Sequence, residues 1–371
     1  MFSLYFHIPF CRKKCGYCDF YSIVNEKLTD KFIAALKKEI VLRKTDAQVE
    51  TIFFGGGTPS ILSRKQLSEI AGFIRQNFNL SPDCEWTMEV NPESFTDKKA
   101  EVFLKNGINR ISIGIQSLND GELKTCGRIH DGKRAIQVLR SAVLQEFRSV
   151  SVDLIYGLPQ QNEASFLQTL KAILQTHVVK HISLYELTIN ENTAFGKNHY
   201  DYNFPSAEIV EKIVKSLRIY LKENGFERYE VSNFAKEGHR CRHNENYWNC
   251  EKYLGLGPSA HSFDGENKRS ANIANMEKYC EKLNRNELAT NFSETLSLEQ
   301  KKTEFLMLRL RTSDGFILSE FSAKFGGDFL SENGKYVDNL IENAYMVIEN
   351  GVCKLTDKGL DIADGIAARL L

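Results

Sequence analysis

Cys11, Cys15 and Cys18 stand within eight residues of one another, in Cys11-Arg-Lys-Lys-Cys15-Gly-Tyr-Cys18. Three thiolates at this spacing can hold three irons of one [4Fe–4S] cluster and leave the fourth iron open to another ligand. Zinc is the competing metal, but it wants four ligands and no fourth lies nearby in the sequence. The chain has nine cysteines, an odd number, and the other six are scattered. That pattern favours a metal site over a disulfide framework. A second group is the glycine triplet in Phe53-Phe54-Gly55-Gly56-Gly57-Thr58-Pro59. Glycines let a ligand touch the backbone, whose N–H and C=O groups become the binding surface. Further polar candidates are Glu89 in Met-Glu-Val-Asn-Pro-Glu, Gln116 in Ser-Ile-Gly-Ile-Gln-Ser and Asp153 in Val-Asp-Leu-Ile-Tyr-Gly. A lone Glu, Gln or Asp is more often a cap or a satisfied core group. Their placement at strand ends argues otherwise.

The elements that must position these residues alternate along the first two-thirds of the chain. β-rich runs at Ser3–Ile8, Thr51–Phe54, Trp86–Val90, Arg110–Ile115, Val150–Tyr156 and His181–Leu187 predict six strands. Between them, Phe32, Leu36 and Ile40, then Leu67, Ile70, Ile74 and Phe78, recur at helical spacing, and Ser63 with Gln66 forms a capping box. Repeated βα units imply a parallel sheet with helices outside it, enough for an incomplete (β/α)6 TIM-like barrel. In such a barrel the C-terminal strand ends form one mouth, and the polar candidates map there. Residues 1–232 are therefore expected to be the core domain of an α/β protein. Residues 233–371 are expected to form a C-terminal domain. It divides into a polar, Asn-rich connecting region (233–295) and a smaller α+β, winged-helix-like part (296–371) that ends in a hairpin turning at Asn350-Gly351.

Composition excludes some functions. The chain has 371 residues, of which 42% are hydrophobic, and its 48 basic and 48 acidic residues balance to zero. That balance offers no general attraction for nucleic acid or an anionic membrane. From Ser297 onward there are 9 basic and 12 acidic residues, a net −3, which also argues against DNA binding by the winged-helix-like part. No apolar run approaches the ~18–20 residues that cross a bilayer, so no transmembrane segment and a cytoplasmic location are expected.

Several motifs now carry a resemblance. Tyr5-Phe-His7-Ile-Pro-Phe-Cys11, the glycine loop, Asn109-Arg-Ile-Ser-Ile-Gly-Ile-Gln116-Ser, Gly127-Arg128-Ile-His130-Asp and Asp153-Leu-Ile-Tyr-Gly-Leu-Pro159 resemble the radical S-adenosylmethionine (SAM) superfamily. More closely, with His181-Ile-Ser-Leu-Tyr-Glu-Leu-Thr188, they resemble the oxygen-independent coproporphyrinogen III oxidase family and its HemW-type heme chaperone branch. The resemblance implies SAM chelated at the open iron. It implies Tyr5 and Tyr17 lining the site, Gly56, Gly57 and Thr58 against the methionine part, Glu89 on the ribose and Arg128 on the SAM carboxylate. Gln116 and Asp153 would complete the pocket. Cys126 stands before Gly127 where the family's leucine is expected.

Three features bear on the branch. The porphyrinogen enzymes of the family resemble C-x3-C-x2-C-x-C, whereas Phe20 occupies the extra cysteine position here. Those enzymes also carry a longer N-terminal segment. Finally, His243-Asn244-Glu-Asn-Tyr247-Trp248 resembles the HNxxYW motif associated with heme in the chaperone branch. Imidazole suits heme iron and Tyr247 and Trp248 could stack on a porphyrin, while the same aromatics could equally plug the barrel. His239 and Cys241 are alternative ligands. The resemblance thus implies a heme chaperone, with heme as cargo, apo-hemoproteins as recipients and a homodimer left open. Oxidative decarboxylation of coproporphyrinogen III is the alternative.

Overall fold

The computed structural model describes residues 1–370. Six parallel strands form its centre: β1 (Phe2–Ile8), β2 (Gln48–Gly56), β3 (Asn79–Val90), β4 (Arg110–Gln116), β5 (Ser149–Tyr156) and β6 (His181–Glu186). Each expected strand is present, and β3 starts seven residues earlier than its apolar run, because Asn79–Glu85 pairs with β2 across a register shift. Helices follow most strands. The helix Thr29–Leu42 buries Phe32, Leu36 and Ile40, and Arg64–Asn77 buries Leu67, Ile70 and Ile74 behind the Ser63–Gln66 capping box.

Alternation along the strands makes this barrel a container. Leu4, Phe6 and Ile8, Ile52 and Phe54, Trp86 and Met88, Ile111 and Ile113, Val150 and Val152 belong to one apolar cluster with the helices. The residues between them on each strand point the opposite way. That set includes Tyr5, His7, Thr87, Glu89, Arg110, Ser112, Ser151, Asp153, His181 and Ser183. It forms a polar interior instead of the aliphatic layers that fill an ordinary closed barrel. Hydrogen bonds cross it between neighbouring strands, from Ser112 to Asp153 at 2.9 Å and between Ser151 and His181 at 2.7 Å.

The segment 233–295, grouped above with the C-terminal domain, instead extends the central sheet. β9 (Lys252–Leu256) runs parallel to β1 on its free edge and leads into antiparallel β10 (His261–Phe263), β11 (Lys268–Asn272) and β12 (Thr290–Thr295). At the other edge β8 (Asn233–Ala235) pairs antiparallel with β6, and β7 (Glu227–Arg228) pairs with β8. These strands are two to six residues long, too short to carry a periodic signal; pairing with a preformed edge defines them. Beyond Leu298 a separate apolar cluster gathers Leu306, Phe316, Phe321, Phe325, Val337 and Leu355. Five helices and the small sheet of β13 (Phe316–Ile317), β14 (Met346–Glu349) and β15 (Val352–Leu355) surround it. The β14–β15 turn is Asn350-Gly351, with φ of 53° and 78°, the left-handed pair a two-residue hairpin needs. The third helix, Phe329–Glu342, begins six residues before the expected Lys335 because Asp328 caps it.

Candidate functional site

The cysteine loop leaves the C-terminal end of β1 and is pinned on both sides. Cys11 N–H donates to Ile23 O (3.0 Å) and Gly16 N–H to Cys126 O (2.9 Å), while Gly16 O accepts from Phe195 N–H (2.9 Å). All three thiols are half-buried, and all nine cysteines of the chain are free. Burial raises the Cys11 and Cys18 thiols, and each also feels the charge of Cys15. Among the described residues no three His, Cys, Asp or Glu side chains are already closed around a metal position. The donors nevertheless suit an iron–sulfur group: three thiols on one short loop, with N–H and O–H donors aimed at two of the sulfurs. Thr58 Oγ1 donates to Cys11 Sγ at 3.6 Å, and Arg128 Nη1 donates to Cys15 Sγ at 3.7 Å.

The glycine loop has a different first reason from the one its sequence suggests. Gly57 N–H donates to Ile8 O (2.9 Å) and Thr58 N–H to Phe10 O (2.7 Å), so these two donors serve the protein and not a ligand. A Cβ on Gly57 would sit 2.7 Å from both the Ile8 and Phe10 carbonyl oxygens. At Gly56, with φ of +100°, it would lie 2.5 Å from the His7 ring. The triplet therefore lets the end of β2 close on the root of the cysteine loop. Gly55 leaves room for Glu89, whose two carboxylate oxygens lie 3.1 Å from its Cβ position.

Arg128 joins the parts. Its Nη2 donates to Asn91 Oδ1 (2.8 Å) and Gly114 O (2.6 Å), and Asn91 Nδ2 donates to Thr58 Oγ1 (3.1 Å). Asn91 was not singled out in the sequence, although it lies in the same Met-Glu-Val-Asn-Pro-Glu run as Glu89. Its role depends on both neighbours being present. Gln116 stands where β4 slips against β5, with φ of 66°, an uncommon and costly backbone for a residue with a Cβ. Tyr17 packs beside Phe195, their centroids 6.5 Å apart. Tyr5 lies deeper in the interior, stacked on Phe53 (6.2 Å), with its hydroxyl 3.3 Å from His7 Nδ1.

Two carboxylates face this interior. Burial, and then the nearby Asp153 charge, push Glu89 up to about 8. Burial likewise raises Asp153, against the pull of Ser112, Ser183, Arg110 and Arg128. Both shifts come first from withdrawal of the carboxyl groups from water into the polar interior.

The HNxxYW residues lie beneath this mouth, with the His243 ring 6.5 Å from Tyr5. His243 lies on the short helix Arg242–Trp248, against the N-terminal ends of β1 and β2 at the opposite end of the barrel. It is 1% exposed, and both ring nitrogens are engaged, Nδ1 with Thr51 Oγ1 (2.7 Å) and Nε2 with the Tyr247 hydroxyl (2.9 Å). Burial pushes it down to about 3. Tyr247 packs edge-on against Tyr253 (4.7 Å), and Arg311 lies over Trp248 at 5.7 Å. As the chain stands, both nitrogens of this imidazole are occupied by the protein, and His243 and Tyr247 pack at the foot of β1 and β2. Cys241 is buried beside Glu85, 3.7 Å from its Oε1, and is equally withdrawn.

The chain matches the family described as "Radical SAM superfamily" over residues 5–173 and "HemN C-terminal domain" over residues 296–362. It is 37% identical over 265 residues to the heme chaperone HemW of Buchnera aphidicola, covering 70% of this chain and 69% of that one. To the heme chaperone HemW of Mycobacterium tuberculosis H37Rv it is 31% identical over 379 residues, covering 100% and 95%. Among solved structures it superposes on the coproporphyrinogen III oxidase HemN of Escherichia coli with a TM-score of 0.88 at 24% identity, covering 100% and 89%. That last likeness shows the fold, an incomplete radical SAM barrel, while the end-to-end identity to the HemW proteins shows the lineage. The chain belongs to the HemN/HemW-type family of the radical SAM superfamily, a membership that implies an iron–sulfur and SAM site in general terms.

Proposed function

We propose that the protein is a heme chaperone, which binds heme and passes it to apo-hemoproteins, with one [4Fe–4S] cluster on Cys11, Cys15 and Cys18 and SAM beside it. The observation that carries the reading is the similarity, over the full chain, to proteins named heme chaperones. Bound together, cluster and SAM supply one-electron cleavage of a sulfonium, and the protein orients them and keeps water out. Arg128, with one N–H already toward Cys15, would hold the SAM carboxylate. Glu89 accepts from the ribose hydroxyls, and Gly56, Gly57 and Thr58 shape the methionine end. Tyr5, Tyr17, Gln116 and Asp153 close the pocket. Among the described residues no helix is long and apolar enough to cross a membrane, in keeping with action in the cytoplasm.

The second reading, coproporphyrinogen III dehydrogenation, draws on the fold shared with HemN. Phe20, 66% exposed where those enzymes are expected to place a further cysteine, counts against it. The test is anaerobic incubation of cluster-reconstituted protein with SAM, reductant and coproporphyrinogen III, alongside a hemin titration. Saturable hemin binding without protoporphyrinogen is expected. Protoporphyrinogen formed over many turnovers would replace the chaperone reading with the enzymatic one.

A further inference from the structure

At the foot of the barrel, far from the cysteine loop, a cavity of about 360 Å³ opens between the N-terminal ends of β4 and β5 and the loop that follows β8. That volume lies in the ~300–1,000 Å³ range of small-molecule pockets. Arg110, the first residue of β4, and Ser149, the first of β5, are register partners in its lining. They are 2% and 3% exposed. Arg110 Nη1 donates to His239 O at 3.0 Å and stands 3.9 Å from a Glu85 carboxylate oxygen. Its Nη2 is buried with no partner, and so is the Ser149 hydroxyl. A third buried atom without a partner, His239 Nδ1, belongs to the loop that covers Arg110. Native folds pair nearly all such groups. Three left over at one place, on elements far apart in the chain, lack a common acceptor.

Charge at this place is unbalanced in the same sense. Arg240 is held by Asp314 at 2.8 Å and Glu245 at 3.6 Å, and Arg242 by Glu50 at 3.2 Å and Asp83 at 3.4 Å. Arg148 and Lys236 line the cavity as well, and among the described residues neither forms an ion pair. Lys180 forms none either, and its carbonyl accepts from Lys236 N–H at 2.9 Å. Burial, and then Lys180, Arg110, Arg148 and Lys236, lower the His239 imidazole, so the four charges that act on it most are all positive. Two carboxylates of the lining, Glu227 and Glu237, are unpaired, but both are exposed, where water and salt screen them.

Guanidinium, hydroxyl and ammonium donors that lack acceptors complement a tetrahedral oxyanion. We propose that this cavity is a phosphate site, with Arg110 and Ser149 at its inner end and Arg148 and Lys236 completing it, and that it takes inorganic phosphate or a small phosphate monoester. A water molecule's share of liquid volume is about 30 Å³, so 360 Å³ leaves room beside a phosphate for the organic part of a monoester. The site is separate from the cluster mouth and does not depend on the heme-carrier reading.

The test is calorimetric titration of cluster-reconstituted, full-length protein with sodium phosphate and with glycerol phosphate, at constant ionic strength, with sodium chloride as control. Saturable binding of phosphate or its ester, and none of chloride, is expected. Tighter binding of the ester identifies an organic phosphate as the ligand, and tighter binding of phosphate identifies the free ion. Arg148→Ala combined with Lys236→Ala removes two cations that hold no ion pair. It is expected to weaken binding at least about tenfold and to leave the melting temperature in phosphate-free buffer unchanged. Ser149→Ala is expected to weaken binding several-fold without lowering that melting temperature, because the hydroxyl it removes has no partner to lose. Arg128→Ala is expected to bind phosphate as wild type does, which separates this cavity from the mouth. Absence of saturable binding by wild type would overturn the proposal, and so would binding that survives the Arg148 and Lys236 changes undiminished.

Discussion

Replacing His243 by Ala separates a structural floor from a heme ligand. The ring is fully buried and packs on Phe53 (5.0 Å) and Tyr247 (5.0 Å). Truncating a buried ring of this size costs about 3–5 kcal/mol. Thr51 keeps a partner in Ser3 at 2.7 Å, but the Tyr247 hydroxyl is left without one, which adds about 1–3 kcal/mol. A total of about 5 kcal/mol, set against an unfolding entropy of roughly 0.8 kcal/mol/K for a chain of this length, lowers the melting temperature by about 6 °C. Hemin affinity of the variant, measured below its transition, is expected to stay within about twofold of wild type. The same residue sets a pH dependence. Its folded pKa, about 3, lies below the unfolded value near 6.5, so its contribution is fully present above about pH 6.5. It declines by up to about 1.4 kcal/mol per pH unit as pH falls toward 3. Burial also lowers His7 and His181, so His243→Ala is expected to make the acid limb shallower without abolishing it. A variant that melts like wild type yet loses the heme spectrum would refute the floor and restore His243 as the axial ligand.

Three further outcomes are expected. Cys11→Ala, Cys15→Ala and Cys18→Ala should each abolish cluster assembly, read as iron content and cluster absorbance; a normal spectrum in any of them would remove that residue as a ligand. SAM affinity should rise with pH up to about 8, by at most about tenfold per unit, because Glu89 must lose its proton to accept from ribose hydroxyls. Glu89→Gln should bind more weakly and lose that slope, and a slope that survives would place the titrating group elsewhere. Gly57→Ala should destabilise the fold by about 1–3 kcal/mol and impair cluster assembly, since its Cβ meets two carbonyl oxygens at 2.7 Å. A variant as stable and as iron-rich as wild type would show that the loop's close approach is dispensable.

The three thiols, the glycine triplet and the strand-end carboxylates were legible in the sequence because each is a local signal. A spacing of four and three residues, or polar residues ending apolar runs, survives without knowledge of neighbours. So did the βα alternation and the Asn350-Gly351 hairpin, which local geometry dictates. The partners were not legible. Asn91 between Thr58 and Arg128, Phe195 N–H on Gly16 O, and the Gly57 and Thr58 donors turned inward to Ile8 and Phe10 all join residues distant in sequence. The same holds for β9, whose five-residue run becomes a strand against the free edge of β1.

His243 marks the boundary most sharply. Its motif names imidazole, phenol and indole side by side, which is chemistry enough for a heme site or for a plug. What the tertiary structure adds is the partners: Thr51 and the Tyr247 hydroxyl take both ring nitrogens at the closed end of the barrel. Residue type and spacing determine which chemistry a chain is able to do. Which of those groups stay available depends on how the fold satisfies its buried donors and acceptors, and that accounting is made between elements far apart in the chain.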